Sequence, residues 1–184
     1  MRRLSLVGCV AVLLCSTNLA SAQTPETIYK AEGARASQPV ATIAYGDDPL
    51  QVADLRIPAG EGPFPVAVIL HGGCFKASVD NRRGIAALAD ALGEKGFATW
   101  NIEYRRVGDP GGGWPGTFQD VAHAVDKLTE VAPRYRLDLN RVTIVGHSAG
   151  ALFALWAASR PHLPAPWSAT PIHPQSVVAI DGPG

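Results

Sequence analysis

A short glycine-flanked serine segment constrains this sequence more than any other feature. Gly-His-Ser-Ala-Gly occupies positions 146–150, after the apolar run 142–145 and before an apolar stretch of helical character at 149–159. A serine in a sharp turn between a buried strand and a helix has its hydroxyl pushed out above the edge of the sheet. The pattern therefore predicts a nucleophilic Ser148, and the simpler interpretation is a glycine-rich turn without chemistry.

The residues around Ser148 also suit the stabilisation of a negatively charged oxygen. Side chains two residues to either side of the serine would collide in so sharp a turn, which accounts for Gly146 and Gly150. The amide of Ala149 and the positive end of the following helix point at an oxyanion formed at the serine. Ala149 is therefore a predicted oxyanion donor, and the two glycines are predicted elbow residues.

A second glycine segment follows the apolar run 65–70. Positions 71–75 are His-Gly-Gly-Cys-Phe, and consecutive glycines let backbone amides face a substrate oxygen without obstruction. This arrangement predicts the other half of an oxyanion hole. We interpret His71 as a brace of this loop and not as the catalytic base. No base stands beside Cys74 in the sequence, so we interpret it as a small residue of the turn.

Strand and helix patterns alternate along the chain after a polar, aperiodic stretch at 23–39, which we expect to be a leader or linker. Two alternating segments around a Gly-Asp-Asp-Pro turn predict a hairpin, and continuous apolar runs predict strands buried on both faces. The alternation predicts an α/β fold with a mostly parallel sheet and helices on both faces. The predicted strands are 40–45, 51–57, 65–70, 97–104, 142–145 and 176–180, and the predicted helices are 85–92, 117–132 and 149–159.

The first 22 residues have the pattern of a secretory signal peptide. A basic start, an apolar run at 4–14 and the small residues Ala-Ser-Ala at 20–22 fit this pattern, and an uncleaved membrane anchor is the alternative. We expect cleavage after Ala22, export to the periplasm or the medium, and no stable membrane span afterwards. Cleavage leaves Cys74 without a cysteine partner, so we expect no internal disulfide.

The charged residues and the histidines argue against other function classes. Sixteen Lys plus Arg residues equal sixteen Asp plus Glu residues, so the chain lacks the basic surplus of a nucleic-acid binder. The five histidines show no metal-ligand spacing. We therefore expect no metal, no cofactor and no nucleic acid. Asp120 fits the cap of a helix that begins at Thr117, and Asp126 fits a solvated helix face.

Several segments together resemble the α/β-hydrolase superfamily, from about position 40 to the C-terminus. The His-Gly-Gly start at 71–73 resembles its esterase, feruloyl-esterase-like and kynurenine-formamidase-like branch. Cys74 and Phe75 depart from that branch, which often has another glycine, or an aromatic residue followed by tryptophan, at this place. Further segments that look like the branch are Asn-Ile-Glu-Tyr-Arg at 101–105, Phe-Gln-Asp at 118–120 and Leu-Asp-Leu-Asn-Arg at 137–141.

The resemblance implies roles for individual residues and a reaction. It implies that the amides of Gly73, Cys74 and Ala149 bind the oxyanion and that the complete sheet has eight strands. It also implies that Ser148 forms an acyl-enzyme with a small-molecule carboxylic ester or amide. A serine peptidase and an arylformamidase are alternative activities for the same resemblance.

The residues after Ser148 do not complete a catalytic triad. In this superfamily an acid and then a histidine follow the nucleophile, whereas this sequence offers His162, His173 and Asp181. We interpret both histidines as surface loop residues, and no histidine follows the aspartate. We therefore expect residues 40–184 to be the N-terminal portion of a truncated domain, with the first six of eight strands. Such a chain is expected to be inactive by itself, or to be a non-catalytic remnant that only binds a ligand.

Overall fold

The computed structural model describes residues 24–182, and the predicted signal peptide lies outside this range. None of the helices in the described range is long and apolar enough to cross a membrane. The strands of this range are β1 (Ala41–Ala44), β2 (Val52–Arg56), β3 (Phe64–Leu70), β4 (Ala98–Ile102), β5 (Leu137–His147) and β6 (Ser176–Ile180). Its helices are α1 (Pro25–Arg35), α2 (Ala86–Glu94), α3 (Gly116–Asp126), α4 (Leu128–Tyr135) and α5 (Ala149–Ser159), with a 3-10 helix at Arg160–His162.

The strands form one sheet in the order β1-β2-β4-β3-β5-β6. β1 pairs antiparallel with β2, and β2 pairs antiparallel with β4, whereas β3, β4, β5 and β6 are parallel to one another. The predicted hairpin, the mostly parallel sheet and the α/β fold are therefore confirmed. Because parallel strands end at the same edge, the loops after β3, β4 and β5 meet there, which is where open α/β sheets bind ligands.

Helices cover both faces of the sheet, so the central strands are buried on both sides. In β3, Val68 packs into a larger core with α3, α4 and α5, whereas Ile69 packs against α2 in a smaller core. Trp100 of β4 is fully buried in the larger core, and its indole N–H donates to the carbonyl of Ala124 at 2.8 Å. Burial on both faces explains why the central strands are continuous apolar runs instead of alternating ones.

The polar stretch 23–39 differs from the expected leader or linker, because it contains α1. Thr24 accepts a hydrogen bond from the first turn of this helix, and Glu26 and Lys30 form an ion pair at 2.7 Å one turn apart. Gly33 packs so closely on the segment before α2 that an added Cβ would lie 2.6 Å from the carbonyl oxygen of Gly84. A cap, an ion pair and a backbone contact thus hold a helix that has no apolar period.

The stretch 117–132, expected as one helix ended by Pro133, forms the two helices α3 and α4, which separate at Lys127. Next to this break, the hydroxyl of Thr129 donates to the carbonyl of Asp126 at 2.8 Å and so competes with a helical N–H for it. Pro133 lies inside α4 and does not end it. The expected single helix is therefore wrong, because the helix is interrupted at Lys127 and continues through Pro133.

Candidate active site

Ser148 lies in a strained turn between β5 and α5. Its backbone has φ 53° and ψ −119°, a combination that residues other than glycine rarely adopt. Its amide donates to the carbonyl of Ile180 in β6 at 2.8 Å, and its carbonyl accepts from the amide of Ala151 at 2.9 Å. These bonds hold the turn at the carboxyl edge of the sheet, with the serine half-buried.

The two glycines that flank Ser148 are required by backbone packing. A Cβ added to Gly146 would collide with the carbonyl oxygen of Gly150, across the turn. A Cβ added to Gly150 would collide with the carbonyl oxygens of Leu70 and His71, at the end of β3. The collision expected within the turn therefore accounts for Gly146, whereas Gly150 lets α5 approach the neighbouring strand.

The loop after β3 lies against Ser148. A Cβ added to Gly72 would lie 3.1 Å from the Cβ of Ser148, so the two segments are in direct contact. Gly73 and Cys74 both have positive φ, at 116° and 51°. Within residues 24–182, the amides of Gly73, Cys74 and Ala149 donate to no protein acceptor. The structure thus places the loop that carries Gly73 and Cys74 against the Ser148 turn, and the three predicted oxyanion donors have no protein acceptor among the described residues.

His71 is fully buried beneath this loop and both of its ring nitrogens are engaged. Nδ1 lies 2.7 Å from the carbonyl oxygen of Gly72, and Nε2 lies 3.1 Å from a carboxylate oxygen of Glu103. The ring stacks on Tyr104 at 4.2 Å between centroids, and the Tyr104 hydroxyl donates to the carbonyl of His71 at 2.5 Å. The carbonyl of Gly72 and the carboxylate of Glu103 are both acceptors, so each ring nitrogen of His71 faces an acceptor.

These contacts are the ones that a brace of the loop needs. The contact with His71 holds the Gly72 carbonyl towards the protein interior. The N–H of Gly73 belongs to the same planar peptide group and points in the opposite direction, away from His71. With one ring nitrogen against the Gly72 carbonyl and the other against Glu103, neither nitrogen of His71 faces Ser148. The role of His71 as a brace stays a prediction, and this geometry supports it.

Glu103 is a buried residue next to His71 that the sequence analysis did not single out. It is 1% exposed, accepts from His71 and from the amide of Arg82 at 3.2 Å, and lies 3.3 Å from the guanidinium of Arg106. Burial alone raises the pKa of Glu103, but the hydrogen bond from His71 and the charges of His71 and Arg106 outweigh it and lower the pKa below its usual value. A carboxylate at the end of an otherwise buried strand, before a Tyr-Arg pair, was the signal available in the sequence.

Asp120 does not cap a helix, contrary to expectation. α3 begins at Gly116, and the Thr117 hydroxyl donates to the carbonyl of Arg105 at 2.5 Å instead of capping. The carboxylate of Asp120 is fully buried and accepts from the side chain of Arg105 at 2.7 and 2.9 Å and from Gln51 at 2.7 Å. Asp120 therefore anchors the segment after β4 to α3.

Asp126 is not simply a solvated residue of a helix face either. Its two carboxylate oxygens each accept from the guanidinium of Arg160 at 2.8 Å, and the hydroxyl of Thr170 donates to one of them at 2.8 Å. Arg160 is 3% exposed, so this pair ties α3 to the segment that follows α5. Both aspartates were misread because periodicity cannot show which distant arginine a carboxylate meets.

The two histidines after Ser148 lie at the edge of the sheet opposite to Ser148. His162 follows the C-terminus of α5, whose 11 residues span about 16 Å from the Ser148 end. His173 precedes the start of β6, and both histidines are exposed, as expected. Asp181 directly follows β6 and is therefore at the same edge as Ser148. Among the described residues, none forms a hydrogen bond with the Ser148 hydroxyl.

Comparison with known protein families and sequences points to esterases. The profile of the family BD-FAE matches residues 53–164, which include both glycine segments. The probable isoprenylcysteine alpha-carbonyl methylesterase of Oryza sativa subsp. japonica is 30% identical over 121 residues, which make up 65% of this chain and 28% of that protein. The chain therefore spans less than a third of the length of this curated relative.

Solved structures of esterases share the fold. Esterase B from Lactobacillus rhamnosis superimposes with a TM-score of 0.68 at 23% identity, over 84% of this chain and 52% of the esterase. A bacterial heroin esterase superimposes with a TM-score of 0.55 at 26% identity, over 60% of this chain and 34% of that chain. The bifunctional GH43-CE protein of Bacteroides eggerthii has a TM-score of 0.65 at 24% identity, over 77% of this chain and 20% of that chain.

Proposed function

The chain belongs to the BD-FAE family, and from this premise we propose that Ser148 is the nucleophile of a carboxylic-ester hydrolysis that proceeds through an acyl-enzyme. The observation that carries the proposal is the contact between the strained Ser148 turn and the loop after β3, two segments whose amides of Gly73, Cys74 and Ala149 donate to no acceptor within residues 24–182. The names of the relatives support an ester as the substrate, because the curated relative is a methylesterase and the similar structures are esterases.

In the proposed reaction, the Ser148 oxygen forms a bond to the carbonyl carbon of the ester while its proton passes to a base. The electron pair of the carbonyl moves to its oxygen, which accepts hydrogen bonds from the amides of Gly73, Cys74 and Ala149. Collapse of this intermediate breaks the bond to the alcohol, which leaves with the proton. Water then repeats the sequence on the acyl-enzyme and releases the acid.

The base is the part that we propose is missing from the 184-residue chain. Both ring nitrogens of His71 are engaged by Gly72 and Glu103, and His162 and His173 are at the opposite edge of the sheet. A positioned general base contributes about 10²–10⁴-fold to such reactions. We therefore propose that this chain by itself hydrolyses esters slowly, because it has the proposed nucleophile and oxyanion donors but no positioned base.

Chemical rescue with imidazole tests this proposal. The chain is incubated with a fluorophosphonate probe, whose phosphorus takes the place of the ester carbon and whose fluoride leaves. We expect slow labelling of Ser148, accelerated at least about tenfold by added imidazole, which accepts the proton. Ser148→Ala should not be labelled under either condition, and Ser78→Ala, which changes an exposed serine elsewhere, should behave as the unmodified chain.

Two outcomes would count against the proposal. Labelling equal to that of Ser148→Ala, even with imidazole, would mean that Ser148 is not a nucleophile, as in a remnant that only binds ligand. Fast labelling without imidazole would mean that the chain already supplies a base. A mass spectrum of the labelled chain locates the modified residue in either case.

Export is a further part of the proposed function. It rests on the signal-peptide pattern of the first 22 residues. Expression of the full chain in a secreting bacterial host should yield a periplasmic or secreted protein that begins at Gln23, as determined by N-terminal sequencing. A protein that keeps Met1 and stays in the cytoplasm would contradict it.

A further inference from the structure

A side chain of α1 reaches the residue that precedes Ser148. The rings of Tyr29 and His147 lie 5.8 Å apart between centroids, with an angle of 31° between their planes. Tyr29 is half-buried and also packs on the smaller core around Ile69. Because α1 precedes residues 53–164, to which the BD-FAE profile matches, Tyr29 lies outside the matched region. The family match therefore does not explain this contact.

The ring of His147 connects Tyr29 to the loop after β3. A Cβ added to Gly72 would lie 3.1 Å from Nδ1 of His147 and 3.1 Å from its carbonyl oxygen, so His147 touches this loop. Nδ1 is buried and has no hydrogen-bond partner among residues 24–182. Packing, and not a hydrogen bond, therefore holds this side of the ring. The placement of the residue next to Ser148 thus depends on a side chain of α1.

A second set of contacts leads from Tyr29 to the same loop through Asp80. A Cβ added to Gly84 would lie 2.8 Å from Cε1 of Tyr29 and 2.9 Å from Cγ of Asp80, so the two side chains meet at this glycine. Burial, and then the charge of Asp80, raise the pKa of Tyr29, so its hydroxyl stays neutral. A Cβ added to Gly73 would lie 3.2 Å from the Cβ of Asp80. Asp80 therefore connects Tyr29 with one of the proposed oxyanion donors.

We propose that Tyr29 is a positioning residue whose ring, through His147 and Asp80, holds the nucleophile turn and the loop after β3 at their working distance. Oxyanion donors act at about 2.7–3.1 Å from the developing charge, and a misplacement of about 1 Å can cost about 10²-fold in rate. The hydroxyl of Tyr29 is buried and has no hydrogen-bond partner in the described range, so the ring carries this role. The effect on rate rests on the proposed function, whereas the effect on the loop does not.

The simpler interpretation is that Tyr29 only anchors α1 to the smaller core, and variants of the full chain separate the two roles. Tyr29→Ala removes the ring, and alanine keeps the helical preference of α1. Tyr29→Phe keeps the ring and lacks only the hydroxyl. The matched control is Leu88→Ala, which removes a half-buried side chain of α2 that packs on the same core.

The first measurement is the rate of phosphonylation of Ser148 by the fluorophosphonate probe with imidazole. We expect Tyr29→Ala to lower the maximal rate about tenfold or more. The probe concentration that gives half of this rate should change little, because the oxyanion donors act mainly in the transition state. Tyr29→Phe and Leu88→Ala should both stay within about twofold of the unmodified chain. Equal slowing by Tyr29→Ala and Leu88→Ala, or no slowing by Tyr29→Ala, would overturn the proposal.

The second measurement needs no reaction. In ¹H–¹⁵N NMR spectra, Tyr29→Ala should shift or broaden the amide signals of Gly72 and Gly73, whereas Leu88→Ala should leave them in place. Unchanged signals in Tyr29→Ala would overturn the proposal whether or not Ser148 is labelled. Changed signals in a chain whose Ser148 is never labelled would support the positioning role and contradict only the proposed function. If urea denaturation shows that Tyr29→Ala does not fold, Tyr29→Leu, which keeps an apolar anchor without a flat ring, is judged by the same outcomes.

Discussion

The two sides of Ser148 are built in different ways. On one side, every residue of β4 is buried, and the segment after it holds the carboxylate of Glu103 among His71, Arg82 and Arg106. On the other side, β6 is largely exposed, and its Val178 is 44% exposed. The loop that carries the oxyanion donors thus rests on a buried ionic cluster, whereas Ser148 itself is tied to β6 by a backbone hydrogen bond.

This difference indicates which side of the site contributes more to the free energy of unfolding. Removing one member of a buried ionic cluster leaves the other charges without water and without a partner, which is costly. Changing an exposed side chain of a strand alters little that was not already in water. We therefore expect mutations on the β4 side to affect the whole fold, and equivalent mutations on the β6 side to be tolerated.

The largest effect is expected for Glu103→Ala. The substitution removes the carboxylate that contacts the buried ring of His71 and the guanidinium of Arg106, which is 5% exposed. We expect the free energy of unfolding to fall by about 3–5 kcal/mol, measured by urea denaturation. Glu103→Gln keeps the shape and should cost less. A loss below about 1 kcal/mol for the alanine variant would mean that the cluster does not support the loop.

The same carboxylate predicts a dependence of stability on pH. Because the pKa of Glu103 is lower in the folded chain than in the unfolded chain, its ionised form stabilises the fold above the unfolded pKa of about 4.3. This contribution is lost as the pH falls through the lowered pKa. We expect the unmodified chain to lose more stability than Glu103→Gln between about pH 4.5 and pH 3, measured by urea denaturation. Parallel curves for the two proteins would contradict the assignment.

A smaller effect is expected for Tyr104→Phe. Its hydroxyl is fully buried and donates to the carbonyl of His71, which keeps no such donor in the variant. We expect a loss of about 1–3 kcal/mol in the free energy of unfolding. Imidazole-rescued labelling of Ser148 should also slow, because the carbonyl belongs to the loop that carries Gly73. Unchanged stability and labelling would show that the ring stack alone positions His71.

Most of the fold could be predicted from the sequence, because local patterns dictate it. The apolar run of β3, the hairpin β1–β2 and the turn at Ser148 each have a period or a glycine signature that needs no distant partner. The predicted end of β6 at Ile180 agrees with the structure, whereas β5 begins five residues earlier than expected. The helix α1 was missed because its stability comes from a cap and from Gly33 against another segment.

Only the backbone turns of the candidate site could be predicted from the sequence. Ser148 follows from turn chemistry, which is local, and the resemblance to the α/β-hydrolase superfamily implied the roles of Gly73 and Cys74. Glu103 and Asp120 were missed or misread because their contacts depend on arginines and a histidine in the loops after β3 and β4. Such pairs cannot be recognised from the sequence, because an acidic residue has the same one-letter code whether it is buried in an ion pair or exposed to solvent.

The smallest effect is expected at the β6 edge. The same substitution can be compared there and at a fully buried position of β3. Val178→Thr and Val68→Thr both replace a methyl group by a hydroxyl and keep a β-branched side chain. Val68 is fully buried in β3 between two neighbouring strands, so the new hydroxyl should cost about 1–3 kcal/mol. Val178 is partly in water, so its variant should change the free energy of unfolding by less than about 0.5 kcal/mol. Equal losses at the two positions would mean that something covers β6 in solution, and that the two sides of Ser148 are more alike than the structure of residues 24–182 indicates.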